Sequence, residues 1–358
     1  MIDESAVSRL AGTLVSSTGD HVALARRHAP RVAPLLSDRE RESLVRSAVN
    51  RVTGMGPLQR HLDDPDVTEV MVVGGENIWV ERGGVIEHEG SIDAPELSLC
   101  LERITRTAGR RLDLLSPILD CVLPDGSRVC AVLPPVSVSG PSVSIRKFSR
   151  RILPLAAFAG AEVLPIVERL VASRRNVVVS GATSAGKTSL ISAISHRFGP
   201  TERVVCIEDT AELRFAHEHV VRLQSRPATA EGAGEVTMQD LVRASLRMRP
   251  DRLVVGEVRG AEVVDMLIAL SSGHSGCWST IHSTGARDTI DRLRALIVRD
   301  SPQWTDSILD HTIASAIDAV VHMERNSLNQ RRITTILEVT HTADGLVTST
   351  LYEREGAQ

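Results

Sequence analysis

The sequence predicts an α/β protein: a mainly parallel sheet with helices between its strands, preceded by a smaller α+β domain. Three observations carry this prediction. From Glu162 onward, β-branched apolar runs alternate with helical periods, as a parallel sheet with crossover helices requires. From Gly54 to about Phe148 the texture is one of short strands punctuated by turns, around a single amphipathic helical stretch. Between the apolar run Val177-Val178-Val179 and a helical pattern at Leu190, Ile191 and Ile194 lies a loop bounded by Gly181 and Gly186.

Length and composition fit two cores. The chain has 358 residues, 42% of them apolar and 24% charged, with a net charge of −4, which is ordinary for a globular protein and carries no disorder signature. No apolar run approaches the ~18 to 20 residues of a membrane-spanning helix. The first residues, Met1-Ile-Asp-Glu-Ser, lack the basic and apolar regions of a signal peptide, so a cytosolic protein is expected. Cys100, Cys121, Cys130, Cys206 and Cys277 are scattered and odd in number, and are expected as buried thiols without a disulfide framework or CxxC metal site. A slightly acidic chain with no visible Lys/Arg stripe and 2% aromatic residues is a poor candidate for non-specific nucleic-acid binding or base stacking. A pore lined by arginines from several subunits stays compatible with these numbers.

Taken in order, residues 1–52 form a helical lead-in with Leu44, Val45, Ala48, Val49 and Val52 at helical spacing, broken into pieces at Pro30 and Pro34. Residues 53–148 form the α+β domain. Its strands are expected at 67–73, 77–81, 85–87, 118–123, 128–133 and 142–145. A helix is expected from Pro95 to about Arg110, and Asp125-Gly126 marks a hairpin turn. Residues 149–161, with Arg150-Arg151, Pro154 and Gly160, read as an interdomain linker. In 162–358, strands are expected at 176–180, 203–207, 219–223, 252–256, 277–281 and 318–323. Helices are expected at 163–173, 187–197, 238–248, 260–272, 286–299 and 305–316, and a final hairpin turns at Asp344-Gly345.

The chemistry is concentrated at the glycine-bounded loop. Gly181-Ala182-Thr183-Ser184-Ala185-Gly186-Lys187-Thr188 fits the phosphate-binding pattern GxxxxGK[ST] at every position, with Ser189 next, and strand and helix flank it as that motif demands. Glycines let the backbone bring its N–H groups onto phosphate oxygens, and the following helix adds unsatisfied donors and the positive end of its dipole. Lys187 supplies a point charge for β- and γ-phosphates, and Thr188 a hydroxyl ligand for Mg2+. Lys147 and Lys187 are the chain's two lysines in an arginine-dominated sequence.

Three further segments end in polar groups. Leu253-Val254-Val255-Gly256-Glu257 is an apolar strand ending in a carboxylate, expected beside the P-loop strand as the acidic partner for Mg2+ and water. Gly256 stands where an Asp is usual, and a solvated strand-end Glu is the plainer alternative. Val204 to Ile207 leads into Glu208-Asp209, where Glu208 is a candidate to polarise water and Asp209 can equally cap a following turn. His282 ends the run Trp278-Ser279-Thr280-Ile281 and is a candidate donor to a γ-phosphate, against the plainer alternative of a core histidine.

Together GATSAGKT, VVCIEDTAEL, LRMRPDRLVVGEVRG and GHSGCWSTIHS resemble, in order, the Walker A, Asp box, atypical Walker B and His box of the type II/type IV secretion-system ATPase superfamily. Within it, PLQRHLDDPDVTEVMVVGG, LPDGSRVCAVLPP and GPSVSIRKF resemble the Tad/Flp-pilus branch, the CpaF-type ATPases. The resemblance spans about residues 52 to 340. It implies a PAS-like N-terminal domain joined by a flexible linker to a RecA-like P-loop ATPase domain, a homohexamer, and ATP with Mg2+ bound between the domains. It also implies that Glu257 matches the Walker B glutamate, Glu208 the Asp-box glutamate and His282 the His-box histidine. Arg128 and Arg146 match first-domain arginines that reach nucleotide phosphate, a task suited to an always-charged fork. A solvent-facing hairpin arginine is the alternative for Arg128, and which glutamate activates water stays open. Cys277-Trp278 is bulkier than expected within the His box.

The expected function is thus a hexameric ATPase motor that works on Tad/Flp-type pilus assembly or protein secretion. Its partner would be an inner-membrane platform protein, with peripheral membrane association through that partner and no direct nucleic-acid contact. The rival is a conjugative DNA-transfer or nucleic-acid translocase ATPase.

Overall fold

A computed structural model describes residues 4–14, 20–147, 152–228, 232–326, 330–343 and 345–354. The chain divides into two compact units, Met1–Ser149 and Arg150–Gln358.

The first unit opens with three helices, α1 (Glu4–Gly12), α2 (His21–Val32) and α3 (Asp38–Thr53). Leu10, Leu14, Ala25, Ala29, Leu44, Val45 and Ala48 form their shared core. Ser37 and Glu40 make a capping box at the start of α3, satisfying two backbone donors reciprocally. The expected break at Pro30 is not there: Pro30 lies inside α2, which continues to Val32 and closes with the Ala33 N–H on the Ala29 carbonyl. Burial of Ala25 and Ala29 holds that last turn against its neighbours, and the chain breaks instead at 33–37, around Pro34.

A short helix that the sequence pattern did not reveal, α4 (Gln59–Asp63), precedes six strands and one long helix. These are β1 (Val67–Val73), β2 (Asn77–Arg82), β3 (Val85–Ser91), α5 (Ala94–Ala108), β4 (Ile118–Val122), β5 (Arg128–Val132) and β6 (Ser142–Arg146). The sheet runs β3-β2-β1-β6-β5-β4, with every described pairing antiparallel. One face buries alternate residues such as Val70, Val72, Val129 and Ile145 against Leu97, Cys100, Leu101 and Ile104 of α5, the period-two against period-3.6 match of a half-buried sheet and an amphipathic helix. Arg51 of α3 pairs with Glu96 of α5, and Arg103 donates to the Arg51 and Gly54 carbonyls, which joins the helical lead-in to this layer.

The second unit comprises α6 (Leu164–Ala172), β7 (Val177–Gly181), α7 (Lys187–Ile194), β8 (Val204–Glu208), β9 (Val220–Gln224), α8 (Met238–Ser245), β10 (Arg252–Val255), α9 (Glu262–Ser271), β11 (Trp278–His282), α10 (Asp288–Asp300), α11 (Asp306–Ala316), β12 (Ala319–Arg325), β13 (Arg331–Thr342) and β14 (Gly345–Glu353). Its sheet runs β14-β13-β12-β7-β11-β10-β8-β9, parallel from β12 to β9, with the β13–β14 hairpin added antiparallel. Of the expected turn at 344–345, Asp344 lies outside the described residues. Strands β7, β8 and β10 are buried along their whole length, and two apolar clusters pack on opposite faces of the sheet.

Strand order corrects one expectation. The strand that leads to Glu257 does not lie beside the P-loop strand: β11, which ends at His282, stands between β7 and β10. Adjacency in a parallel sheet is set by crossover packing, which a run of valines does not encode. A second correction concerns the thiols. Four of the five cysteines are buried, but Cys130 is exposed because it falls on the outward-facing positions of β5.

The opposite, N-terminal end of the sheet is held by a buried ion pair. Arg252 Nε donates to Glu202 at 2.5 Å, its Nη2 donates to the Val171 carbonyl at 2.9 Å, and the guanidinium lies 4.7 Å over the Phe198 ring. Removing one partner leaves an uncompensated buried charge. Glu202→Ala is expected to lower unfolding free energy by about 3 kcal/mol in urea denaturation; a loss within experimental scatter would mean the pair contributes nothing.

Candidate functional site

Because the central strands are parallel, their C-terminal ends share one edge of the sheet. Gly181, Glu208 and His282 each end a strand there, and Gly256-Glu257 follows directly on β10. Register places His282 opposite Gly181.

The loop after β7 is shaped by backbone that side chains tolerate poorly. Gly181 has φ 147°, and a Cβ there would overlap the Met323 carbonyl oxygen; Ser184 and Gly186 also have positive φ, at 62° and 98°. Gly186 is the N-cap of α7 and offers no side chain to its first turn, so the amides at Lys187, Thr188 and Ser189 precede any intrahelical acceptor. Ala182 and Thr183 are exposed, Ser184, Thr188 and Ser189 half-buried, and Ala185 packs into the core. The loop therefore offers backbone donors and a dipole end to an anion.

Lys187 is buried and folds back over this loop. Its Nζ donates to the Gly181 and Ala182 carbonyls at 2.9 and 2.8 Å and lies 3.2 Å from His282 Nδ1. Burial pushes the ammonium down to about 8, with Glu257 opposing that shift. His282 is also held below its usual range, first by burial and then by the Lys187 charge. A neutral imidazole fits both contacts: Nδ1 accepts from the ammonium, and Nε2–H points at Glu257 Oε1, 3.3 Å away.

Glu257 is the hinge of the site. Burial alone would raise its carboxyl, but Arg259, His282 and Lys187 together hold it below the ordinary carboxylate range. Arg259 grips it in a forked pair, with Nε to Oε1 and Nη2 to Oε2 both at 2.7 Å, and extends to Asp209 at 3.6 Å. The Thr280 hydroxyl donates to the Gly256 carbonyl at 2.6 Å, fixing the peptide from which Glu257 projects. Arg259 and Thr280 were not among the residues singled out from sequence. The i, i+2 spacing of Glu257 and Arg259 is the signal that points to the former.

Glu208 is placed differently. Its carboxylate is buried and turned into the protein: Oε1 accepts the Glu212 and Leu213 N–H groups at 2.8 and 2.7 Å, and Oε2 pairs with Arg222 at 3.2 Å. Burial raises its carboxyl, while those donors oppose the shift. The same side chain explains Gly256, where a Cβ would come within 2.9 Å of Glu208 Cγ. The strand-end Asp usual at that position has no room here. Glu208 thus braces the loop after β8, while His282 meets both Lys187 and Glu257.

Arg128 and Arg146 belong to the first unit. They stand directly opposite each other on β5 and β6, with Arg128 paired to Asp120 at 2.7 Å and Arg146 exposed. Among the described residues no cluster of His, Cys, Asp or Glu makes a preformed metal cage, and no helix is long and apolar enough to cross a membrane. The donor set nevertheless suits a hard cation shared with phosphate, since Thr188 and Glu257 offer oxygen ligands and the anion completes the shell.

An open parallel sheet with a P-loop at its carboxyl edge, flanked by a carboxylate and a histidine on neighbouring strands, defines a P-loop protein of the RecA-like class. The chain belongs to the type II/IV secretion system protein family, whose model matches residues 51–356. It is 37% identical over 326 residues to the putative conjugal transfer protein Rv3659c of Mycobacterium tuberculosis, covering 87% of this chain and 92% of that one. It is 33% identical to the type IV secretion system protein PtlH of Bordetella pertussis, covering 74% and 88%. Among solved structures, the ATPase DotB of Legionella pneumophila superposes with a TM-score of 0.56 at 20% identity, over 78% of this chain and 79% of that one.

The displaced Lys187 ionisation has a measurable consequence. An anion that takes the ammonium from the two carbonyls favours its charged form, so binding above pH 8 draws a proton from solution. Calorimetric titration with ADP at pH 8.5 in two buffers of different ionisation enthalpy is expected to show proton uptake. Equal heats in both buffers at pH 8.5 would show that Lys187 is already fully charged.

Proposed function

We propose that this protein hydrolyses ATP and passes the work to a secretion or pilus-assembly machine at the inner membrane. The observation that carries the reading is the meeting of Lys187, His282 and Glu257 over a P-loop with an uncapped helix start. Membership of the secretion family supports it.

In this reading the amides of residues 181–189 and the Lys187 ammonium hold the β- and γ-phosphates, and Thr188 and Glu257 would hold Mg2+, which when bound would supply positive charge for the phosphates. Glu257 is favoured over Glu208 as the carboxylate that orients the attacking water. It stays ionised, and two of its neighbours, Lys187 and His282, are groups that meet phosphate, whereas Glu208 is turned into the protein, onto the loop it braces and Arg222 of β9. His282 holds Lys187 through Nδ1 and keeps a proton on Nε2 toward the carboxylate. Arg128 and Arg146, delivered by the PAS-like first domain across the linker, supply guanidinium charge to the nucleotide, and six subunits close the ring.

Two kinds of work fit such a motor. The first-domain segments favour Tad/Flp-type pilus assembly through an inner-membrane platform protein, with the motor a cytoplasmic, peripheral component. The conjugal-transfer names of relatives favour the second reading, a motor for transfer of DNA or protein through a type IV machine. The net charge of −4 argues against the motor itself gripping nucleic acid.

Steady-state ATP hydrolysis by the ring-sized fraction tests both levels. Wild type is expected to turn over, with Lys187→Ala and Glu257→Gln each reduced at least a hundredfold, and single- or double-stranded DNA without effect. Activity surviving in Glu257→Gln would reassign the catalytic carboxylate, and strong stimulation by DNA would make the protein a translocase.

A further inference from the structure

The carboxylate that the site offers to a cation or a water is already engaged. Arg259 Nε donates to one oxygen of Glu257 and Nη2 to the other, both at 2.7 Å, so the fork spans the carboxylate edge. His282 Nε2 stands 3.3 Å from the first of these oxygens. For Glu257 to serve either task, an arm of the fork has to come away.

The backbone of Arg259 is fixed while its side chain is loose. Glu262, buried at the start of α9, accepts the Arg259 and Gly260 N–H groups on one oxygen at 2.6 and 2.8 Å. Arg299 of α10 donates to the Arg259 carbonyl at 3.1 Å, and the Val258 N–H is bound to the Thr280 carbonyl at 2.8 Å. The Arg259 side chain, in contrast, is 55% exposed, against 19% for Glu257. A second acceptor lies within its reach. Asp209 Oδ1 accepts from the Ser225 hydroxyl at 2.9 Å, while Oδ2 faces Arg259 Nη1 at 3.6 Å, close enough for an ion pair and just beyond a hydrogen bond.

We propose that Arg259 is a positioning residue with two holders, which keeps Glu257 in reserve and passes to Asp209 when a nucleotide with Mg2+ engages that carboxylate. This rests on the P-loop binding nucleotide and on Glu257 serving the cation, as inferred above. The exchange is between two ion pairs of one guanidinium. Glu257 gives up Arg259 as it gains another positive partner, and Asp209 gains the pair that Glu257 loses. The cost of opening a partly buried fork is thereby offset at a carboxylate nearer the solvent. The two acids that follow one another after β8 then have separate tasks: Glu208 braces the loop from within, and Asp209 receives Arg259 at its surface.

Calorimetric titration with ADP, with and without Mg2+, measures how much the cation adds to binding. Arg259→Lys keeps positive charge beside Glu257 and loses the fork, so the gain from Mg2+ is expected to rise roughly tenfold. Asp209→Asn removes the charge of the second holder, so the gain is expected to fall roughly threefold. Thermal melting of both variants is expected close to wild type, because both side chains are about half exposed. A packing role would not move the two variants in opposite directions. Gains equal to wild type in both, with the gain lost in Glu257→Gln, would overturn the inference and leave the nucleotide reading standing, and so would a fall in both. Failure of the wild type to bind ADP would remove the nucleotide reading and this inference with it.

Discussion

The site depends on one interaction: a buried lysine ammonium held on the two carbonyls of the loop it serves. Lys187 has given up most of its hydration, and Gly181 O, Ala182 O and His282 Nδ1 replace it only in part. That incomplete replacement lowers its pKa and leaves the charge poised for a better partner. The rest of the edge follows. His282 must be neutral to accept from the ammonium, its other nitrogen then faces Glu257, and Glu257 needs Arg259 to remain ionised at that depth. One charged chain, Lys187 to His282 to Glu257 to Arg259 to Asp209, runs along the carboxyl ends of three strands and onto the loop after a fourth.

Glycine placement is subordinate to this chain. Gly181 yields to a neighbouring carbonyl, Gly186 to the stem of Arg331, and Gly256 to the side chain of Glu208. Each marks a close approach by a group that secures the site. The departure of the β10 strand from the common Asp ending has its physical cause there: a carboxylate from the neighbouring strand fills the space and braces the loop after β8.

Much of the architecture was legible in the sequence because the physics that makes it is local. Buried parallel strands read as valine and isoleucine runs, and those ending at Gly181, Glu208 and His282 lie within one residue of their expected limits. The P-loop was legible because its glycines are needed one by one. Strand order was not, since it arises from how crossover helices pack, and so the sequence pattern put Glu257's strand where His282's stands. The inward turn of Glu208, the forked Arg259 and the stem of Arg331 on Gly186 depend on contacts between residues far apart in the chain, or on a side-chain direction that spacing leaves open. Pro30 inside α2 has the same origin, because burial of Ala25 and Ala29 outweighs a local helix breaker.

Lys187, His282 and Glu257 form one charge-coupled unit, and the His282 imidazole reports on it most directly. Its pKa is to be measured by nuclear magnetic resonance in the wild type and in Lys187→Met. In the wild type it is expected below the ordinary histidine range, rising when the ammonium is removed, as the repulsion against an imidazolium disappears. An identical titration in the two proteins would mean that His282 does not sense Lys187, and would contradict the coupling on which the proposed site rests.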